Sequence, residues 1–435
     1  MKQQRYVSFS VIVLLCLALV TACSSGNNTP AGNSGGAGSS PNDSVRPVTL
    51  KLSTWQMDQE GYGQFWKEAI AAFQQEYNHI TIEPINYAPA DYSSRVLVDI
   101  TAGSPADLLT FAGFDFAQFH AMNAFEPLDG IVDVNEADFN ENIWNFSKID
   151  GKLMAYPIMA RTMQLLYNKQ MFEAAGIDAV PTNPDEFIAA ARQLTVKEGN
   201  VTSQYGFGFE TNNNRYLYED VLLWVLGFDG KLAEQGAPTI NTPANAEAVA
   251  FMRQMITEGV SPQGIDKSDV RLGFANGNIA MLIDGAWILP LVETHSPELV
   301  EHIGVAPTPF ASQATTGGAM NFIGISERSG HQQEAASFIE FIAQPQWQLR
   351  WFELTNTLPA GNGIITDDII ANNAYLPEFL KGLDNVVAIP PEGLEDQYNK
   401  FSDIVNNYAV MALFFDGDVA AVLDEAQAEA EKELR

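Results

Sequence analysis

The sequence has almost no cysteine, and what it has lies close to the N-terminus. Cys16 and Cys23 are the two cysteines among 435 residues. Cys16 lies inside an apolar run typical of a signal peptide, whose removal would leave Cys23 without an intramolecular partner. The folded part of the chain is therefore expected to contain no disulfide and to depend on packing for its stability.

Positive charge is also scarce. The chain carries 23 Lys and Arg residues against 54 Asp and Glu, which gives a net charge of -31. A surface of this sign repels the phosphates of nucleic acids, so we expect no nucleic-acid partner.

The common motifs of metal and nucleotide enzymes are missing as well. The five histidines are scattered and none has the spacing of a zinc site. Neither a phosphate-binding P-loop nor a G-x-S-x-G nucleophile elbow occurs. We therefore expect no metal, no cofactor and no catalytic residues.

The N-terminus has the pattern of a bacterial lipoprotein leader. Two basic residues precede the apolar run VIVLLCLALV (11–20), which is too short to span a membrane comfortably. Small residues directly before Cys23 resemble a lipobox, whose cysteine receives a diacylglycerol and becomes the mature N-terminus. We predict a signal peptide at 1–22 and lipidation of Cys23.

The next residues are expected to act as a tether. Residues 23–47 are rich in Ser, Gly, Asn and Pro and cannot bury a core, so they should form a flexible coil. The protein would then be extracytoplasmic and lipid-anchored, at the outer face of the cell membrane or in the periplasm.

From Val48 onward, segments typical of strands alternate with segments typical of helices. VTLKLSTW alternates apolar and polar residues, and an apolar stripe follows on a helix near 62–78. Later helices are predicted near 91–103, 115–123, 184–198, 215–227, 244–259, 332–343 and 403–432, and later strands near 205–209, 279–283 and 322–326. The alternation predicts an α/β fold with mostly parallel sheets flanked by helices.

Aromatic and polar residues follow several strands directly. They occur in WQMDQEGYG (55–63), FAGFDF (111–116) and DGAW (284–287). Ligands of open α/β sheets bind beyond the carboxyl ends of the strands. Aromatic faces suit the apolar faces of a sugar, and Arg161 and Asp115 offer planar donors and acceptors for its hydroxyls. Any one of these aromatics could belong to a core, but three such clusters favour a carbohydrate site.

The segment GKLMAYPIMARTMQLLYNK (151–169) resembles a signature of family 1 extracellular solute-binding proteins of ABC importers, the group that contains maltodextrin-binding proteins. PADLLTF (105–111) before this segment, and FANGNIAMLIDGAW and HQQEAASFIEFIAQPQWQ after it, fall in the order of that family, and the resemblance covers roughly 48–435. It implies a two-lobed, type II periplasmic-binding-protein fold with three hinge crossings. The expected lobes are 48–158 with 322–365, and 159–321 with 366–435.

The resemblance also implies where a ligand would bind. Trp287 matches an aromatic residue that stacks on sugar rings, and Arg161 would face the cleft from a hinge at 159–162. A second crossing is expected near 317–322, where the two glycines of TTGGAMN (315–321) would allow the backbone to turn. The candidate ligand-binding residues are Trp55, Asp58, Gln59, Phe111, Phe114, Asp115, Arg161, Tyr216, Asp284, Trp287, Gly318, Asn321 and Phe401.

Three of these positions depart from maltodextrin receptors. Those receptors carry a carboxylate at the position of Arg161, a basic residue at that of Asp115 and a tryptophan at that of Phe111. The polar side chains are reversed, so a carbohydrate is expected but a maltodextrin is not.

The function implied by the resemblance is that of a monomeric, high-affinity receptor. It would bind a mono- or oligosaccharide in the cleft between the lobes and deliver it to an ABC import permease. Two alternatives stay open. A secreted glycoside hydrolase needs two facing carboxylates, and 54 acidic residues supply chance pairs. A sugar-sensing lipoprotein that presents its ligand to a membrane kinase would have the same sequence features.

Overall fold

The computed structural model describes residues 46–89, 91–199, 201–310, 312, 315–316 and 320–434. The predicted signal peptide, Cys23, nearly all of the linker and Gly318 lie outside these residues. The strands are β1 (Val48–Thr54), β2 (Ile80–Asn86), β3 (Leu108–Ala112), β4 (Phe125–Glu126), β5 (Lys148–Ile149), β6 (Lys152–Leu153), β7 (Tyr156–Ala160), β8 (Gln164–Asn168), β9 (Val196–Glu198), β10 (Val201–Gln204), β11 (Ala233–Glu234), β12 (Ala237–Pro238), β13 (Met281–Asp284), β14 (Ile303–Ala306), β15 (Thr315–Thr316), β16 (Asn321–Ser326), β17 (Leu358–Pro359) and β18 (Val386–Val387).

Helices separate most of these strands. They are α1 (Tyr62–Glu76), α2 (Tyr92–Thr101), α3 (Gly113–Ala121), α4 (Glu141–Asn145), α5 (Lys169–Ala175), α6 (Pro184–Leu194), α7 (Arg215–Gly227), α8 (Pro243–Thr257), α9 (Lys267–Ala275), α10 (Leu289–His295), α11 (Gln332–Ala343), α12 (Pro345–Thr355), α13 (Asp367–Ala371), α14 (Leu376–Gly382), α15 (Tyr398–Phe414) and α16 (Val419–Glu433). In the described part of the chain, no helix is long and apolar enough to cross a membrane.

The larger sheet has the strand order β17-β7-β16-β3-β1-β2, with β4 beside β16. Strand β1 runs parallel to β2 and β3. Strand β16 lies between β3 and β7 and runs antiparallel to both. Helix α1 packs on this sheet through an apolar stripe, and its buried Phe65 and Trp66 contact Trp351 of α12.

The second sheet has the order β13-β8-β14, and both pairs are antiparallel. Tyr205 and Gly208 add parallel bridges to Ile279 and Leu282, so the strand predicted at 205–209 is present only as these bridges. Leu165 and Leu166 of β8 belong to two different buried clusters, because successive residues of a strand point to opposite faces. The second sheet is therefore buried on both faces.

The α/β class is confirmed, but the expectation of mostly parallel sheets is wrong for most strand pairs. Strand β7 leaves the first sheet at its carboxyl end and leads into β8 of the second sheet. Strand β16 comes back from that side, so it must run opposite to its neighbours β7 and β3. The antiparallel pairing of β16 thus follows from the passage of the chain between the two sheets.

The first passage between the sheets consists of Arg161, Thr162 and Met163, since β7 ends at Ala160 and β8 begins at Gln164. The Thr162 hydroxyl donates to the carbonyl of Phe379 at 2.9 Å, and the Met163 amide donates to the Thr315 hydroxyl at 2.9 Å. Strand β7 thus continues two residues past the predicted limit of 158. The lobe limits given above otherwise stay predictions.

The C-terminal helix predicted at 403–432 is two helices. Helix α15 ends at Phe414 and α16 begins at Val419, with Asp418 accepting a hydrogen bond from the Ala420 amide as an N-cap. The glycine at 417 interrupts an otherwise continuous helical pattern, and a single glycine is a weak sequence signal for a break.

Candidate ligand-binding site

A cavity of about 320 Å³ lies where strand ends of the two sheets face each other. The first sheet contributes the loop after β1, the residues after β3 and the end of β7. The start of α7, helix α9 and the residues after β13 line the opposite side. The lining residues are Trp55, Gln56, Gln59, Glu60, Tyr62, Pro89, Tyr92, Ser93, Ala112, Phe114, Asp115, Met159, Arg161, Arg215, Tyr216, Glu219, Arg271, Trp287 and Asn321.

The cavity brings together many of the residues singled out from the sequence. Eight of the thirteen candidates line it, although they come from six separate segments of the chain. These are Trp55, Gln59, Phe114, Asp115, Arg161, Tyr216, Trp287 and Asn321. Their role in binding a ligand stays a prediction.

Two predicted aromatic residues lie in the protein core instead. The Phe111 side chain has no exposed surface, and its ring centroid is 4.7 Å from that of Phe125. Phe401 is equally buried, with its ring 6.2 Å from Tyr218. Phe111 is still part of β3, in which every residue is buried, and Phe401 lies on the buried face of α15. The structure thus places these two rings in the core and not in the cavity lining.

Three further candidates do not line the cavity. The exposed Asp58 accepts a hydrogen bond from Asn86 Nδ2 at 2.6 Å. Asp284 has no exposed surface and lies behind the cavity wall, where it holds Arg271. Gly318 lies outside the described residues.

Arg161 and Trp287 form one unit at the bottom of the site. The guanidinium carbon of Arg161 lies 3.7 Å from the centroid of the indole ring. A Cβ at Gly285 would lie 1.8 Å from a Trp287 ring atom, so the ring also rests against bare backbone. A cation over an aromatic face in a partly desolvated site contributes about 1–2 kcal/mol. The contact therefore holds both side chains in position.

Arg271 reaches the cavity from α9 and forms an ion pair with Asp284 behind the cavity wall. Its Nε donates to Asp284 Oδ2 at 2.7 Å and its Nη2 donates to Asp284 Oδ1 at 3.1 Å. Burial opposes ionisation of Asp284, but Arg271 and Lys267 outweigh burial, so the pKa of Asp284 lies below its ordinary value. The pair fixes the position and the charge of the Arg271 guanidinium.

A second buried ion pair supports the same wall. Lys267 Nζ donates to both carboxylate oxygens of Asp220, at 2.8 and 3.1 Å, and both side chains are buried. The backbone amide of Lys267 donates to Glu210 at 2.7 Å. Removing one partner of such a pair leaves an uncompensated buried charge, which makes this wall sensitive to single substitutions.

Asp115 lies on the other side of the cavity, in the first turn of α3. Its side chain is 3% exposed. Burial raises the pKa of Asp115 to about 7, although hydrogen bonding to Ser93 and the charge of Arg215 oppose that rise. Near neutral pH this carboxyl can therefore either donate or accept a hydrogen bond.

The start of α7 supplies a third group of polar side chains. Asn214 caps the helix by accepting from the Tyr216 amide, which sets the direction of Arg215 and Tyr216. Arg215 lies at the solvent-exposed mouth, and its Nη2 donates to the Tyr216 hydroxyl at 2.9 Å. Glu219 follows one turn later, and burial raises its pKa.

The sequence reasoning missed the two arginines outside the hinge and Glu219. Arg215 and Glu219 are spaced one helical turn apart after a helix cap, which is a usable but weak signal. Arg271 has no local signal, because a charged residue on a short helix is usually solvated. The other cavity residues that were not predicted are Gln56, Glu60, Tyr62, Pro89, Tyr92, Ser93, Ala112 and Met159.

A larger cavity, of about 760 Å³, lies elsewhere and has a mainly apolar lining that includes Phe116, Leu222 and Ile389. We assign the candidate site to the smaller cavity, because it collects three arginines, two buried carboxyls and several aromatic rings. Perturbed ionisable groups in a concave site are typical of functional sites. Within the described residues, no group of three or more His, Cys, Asp or Glu side chains could hold a metal ion.

Two α/β lobes with a polar and aromatic cavity between their strand ends define a two-lobed receptor of the type II periplasmic-binding-protein fold. The chain belongs to the family of bacterial extracellular solute-binding proteins, which it matches over residues 58–349.

Individual relatives agree with this assignment. A protein of Brucella abortus named as a binding protein is 27% identical over 381 residues, which cover 86% of this chain and 90% of the relative. The melibiose/raffinose/stachyose-binding protein MelE of Bacillus subtilis is 24% identical, covering 77% of this chain and 78% of the relative. An ABC transporter solute-binding protein of Thermotoga lettingae, solved with α-D-tagatose, superposes with a TM-score of 0.78 at 21% identity, covering 90% of this chain and all of the other.

Proposed function

We propose that the protein is an extracytoplasmic receptor that binds a carbohydrate in the 320 Å³ cavity and delivers it to an ABC import permease. The observation that carries the proposal is the lining of that cavity, which combines aromatic rings with side chains that can form two or more hydrogen bonds. Sugars need both, because they present apolar C–H faces and a rim of hydroxyl groups. The three sugars named for MelE and the tagatose in the Thermotoga structure support the same class of ligand.

The volume of the cavity favours a short ligand. Small-molecule sites usually enclose roughly 300–1,000 Å³, and this cavity lies at the lower end of that range. A monosaccharide or disaccharide fits this volume better than a long oligosaccharide.

The proposal includes the cellular arrangement. A monomer anchored through a diacylglycerol on Cys23 and carried on a flexible linker could load a ligand in the medium or periplasm and still reach a permease. Closing the lobes would exclude water and strengthen each hydrogen bond to the sugar.

The direct test is a thermal-shift screen of the purified chain against mono-, di- and oligosaccharides, followed by calorimetric titration of each sugar that shifts the melting temperature. A sugar present at 100 times its Kd should stabilise the fold by about 2.7 kcal/mol. If no carbohydrate raises the melting temperature at millimolar concentration, the proposed function is wrong.

Asp115 and Glu219 give the hydrolase alternative a specific basis, because both carboxyls line one cavity and burial raises the pKa of each. Family membership favours binding over cleavage. Chromatography of a bound sugar after long incubation distinguishes a receptor from a hydrolase. A receptor releases the sugar intact, whereas a hydrolase releases cleaved products. Uptake of labelled sugar by a deletion strain separates import from sensing, since a sensor mutant would still take up the sugar.

A further inference from the structure

Positive charge is concentrated in the candidate site, although the chain as a whole carries a net charge of -31. Arg161, Arg215 and Arg271 all line the one cavity. Arg215 and Arg271 lie near the same ring, with guanidinium carbons 4.8 and 5.8 Å from the centroid of Tyr216. Arg161 is held on Trp287. Three guanidinium groups thus line one cavity in a protein whose overall charge is strongly negative.

The carboxyls of the site are close in number to its arginines. Asp284 compensates Arg271 through two hydrogen bonds. Arg161 and Arg215 then face Glu219 and Asp115, and Glu60 lies exposed at the rim. Since burial raises the pKa of Asp115 to about 7, this carboxyl can keep its proton near neutral pH. Leaving the exposed Glu60 aside, the carboxyls therefore match the three arginines in number when Asp115 is ionised and are one fewer when it is protonated.

The three arginines also shift the hydrogen-bonding groups of the lining toward donors. A guanidinium has five N–H donors and no acceptor, so the three arginines add only donors to the lining. A neutral sugar offers hydroxyls that both donate and accept. A carboxylate or phosphoryl group offers acceptors only, and it matches planar guanidinium donors in two-point contacts.

We propose that the ligand is an acidic carbohydrate whose carboxylate or phosphoryl group is received by Arg161 and Arg215. This inference rests on the proposed function, because it names the class of sugar that the site takes. The sugar ring would lie against the aromatic side chains, and its hydroxyls would meet Gln59 and Asn321 across the cavity.

Matched pairs of neutral and acidic sugars test the proposal. The purified chain is incubated with an equimolar mixture of glucose and glucuronate, galactose and galacturonate, the disaccharides that contain these acids with their neutral counterparts, and glucose 6-phosphate. Native mass spectrometry identifies what is retained, and calorimetry at 50 and 300 mM NaCl measures each affinity. We expect an acidic member to bind at least tenfold more tightly than its neutral partner, and to weaken at the higher salt. The mixture contains both uronates and a phosphorylated sugar, so the retained member shows which anion is recognised.

Variants tie the preference to the arginines. Arg161→Gln and Arg215→Gln should each weaken binding of the acidic sugar at least tenfold, and should weaken binding of the neutral partner by a clearly smaller factor. The matched control is Arg95→Gln, which removes the same charge from an exposed position on α2, two residues from Ser93, and should change neither affinity.

The outcomes separate this inference from the proposed function. Retention of a neutral sugar with equal or higher affinity overturns the inference and leaves the receptor proposal standing. Equal losses for both members of a pair in the arginine variants also overturn it. Failure of every neutral and acidic carbohydrate to bind overturns both.

Discussion

The guanidinium carbon of Arg161 lies 3.7 Å from the ring centroid of Trp287, in a cavity between the two lobes. Arg161 comes from the first passage between the sheets, and Trp287 comes from the loop after β13 of the second sheet. The aromatic surface of the site and its innermost charge are therefore one structural unit. A substitution of either side chain should affect the position of the other.

Trp287→Ala is expected to weaken ligand binding more than tenfold. The substitution removes both the aromatic surface and the support of Arg161, and loss of such an anchoring contact costs about 2 kcal/mol or more. The side chain is half-buried, so the melting temperature should change little. Titration calorimetry of the variant beside Trp287→Phe, which keeps a ring, measures the effect. Unchanged affinity together with a large fall in melting temperature would place Trp287 in a purely structural role.

Asp284→Asn is expected to destabilise the protein by about 3 kcal/mol or more. The variant leaves Arg271 largely buried without its counter-charge. Because the pKa of Asp284 in the folded protein lies below its ordinary value, its contribution is present above about pH 4 and is lost as pH falls through the folded pKa. The gap between wild type and variant in denaturant unfolding should therefore be full at pH 7 and shrink in acid.

A double-mutant cycle provides the control for that pair. Adding Arg271→Met to Asp284→Asn removes the unpaired cation and should recover part of the stability lost by the single variant. If the two substitutions are simply additive, the ion pair does not hold Arg271 and the account of this wall is wrong.

The sequence predicted the helices better than the sheets. The helix predicted at 215–227 matches α7, and that predicted at 62–78 is α1 with two fewer residues at its end. Helical periodicity is a local property, so it can be read from one segment. The direction of β16 depends on the path of the chain between the sheets, which local patterns do not contain.

For the site as well, local sequence patterns were informative and long-range contacts were not. Phe114 lines the cavity whereas Phe111, three residues earlier, lies in the core. Both follow from where β3 ends, because Phe111 still belongs to the strand and Phe114 lies beyond it, in α3. Arg271 enters the site because Asp284, thirteen residues away, holds it there. Such a long-range pairing could be seen only in the folded chain.

Asp115→Asn is expected to change how stability depends on pH. Burial raises the pKa of Asp115 to about 7, so between about pH 4 and 7 the folded protein keeps a proton that the unfolded chain loses. The free energy of unfolding therefore falls as pH rises through this range. Above pH 7 the full cost of ionising the buried carboxyl is present. The charged or titratable groups that act on Asp115 or are acted on by it include Arg215, Tyr92 and Tyr398.

Melting temperatures measured from pH 5 to 8 check this expectation. The Asp115→Asn variant should gain a few degrees over wild type at pH 8 and much less at pH 5. The exposed carboxylate of Asp91 on the neighbouring loop offers a control, and Asp91→Asn should run parallel to wild type. A constant difference between Asp115→Asn and wild type across the range would show that Asp115 is ionised throughout.

Cys23→Ala is expected to release the protein from the membrane, because the cysteine is the predicted site of diacylglycerol attachment. Detergent phase separation of cell extracts measures the change, since a lipoprotein partitions into the detergent phase and the variant into the aqueous phase. Cys16→Ala is the matched control and should partition like the wild type. Recovery of the unsubstituted protein in the aqueous phase would rule out the anchor.

Ligand binding is expected to bring the two lobes closer together. The ligand would contact residues from both sheets, such as Asp115 on one side and Tyr216 on the other, so its binding energy favours the closed arrangement. The short passage at 161–163 joins the sheets, so closing the lobes would change the backbone angles there. Small-angle scattering should show a smaller radius of gyration at saturating ligand, and Trp287→Ala at the same ligand concentration should show less of the decrease. Identical curves with and without ligand would mean a rigid pocket, which favours the hydrolase alternative over a closing receptor.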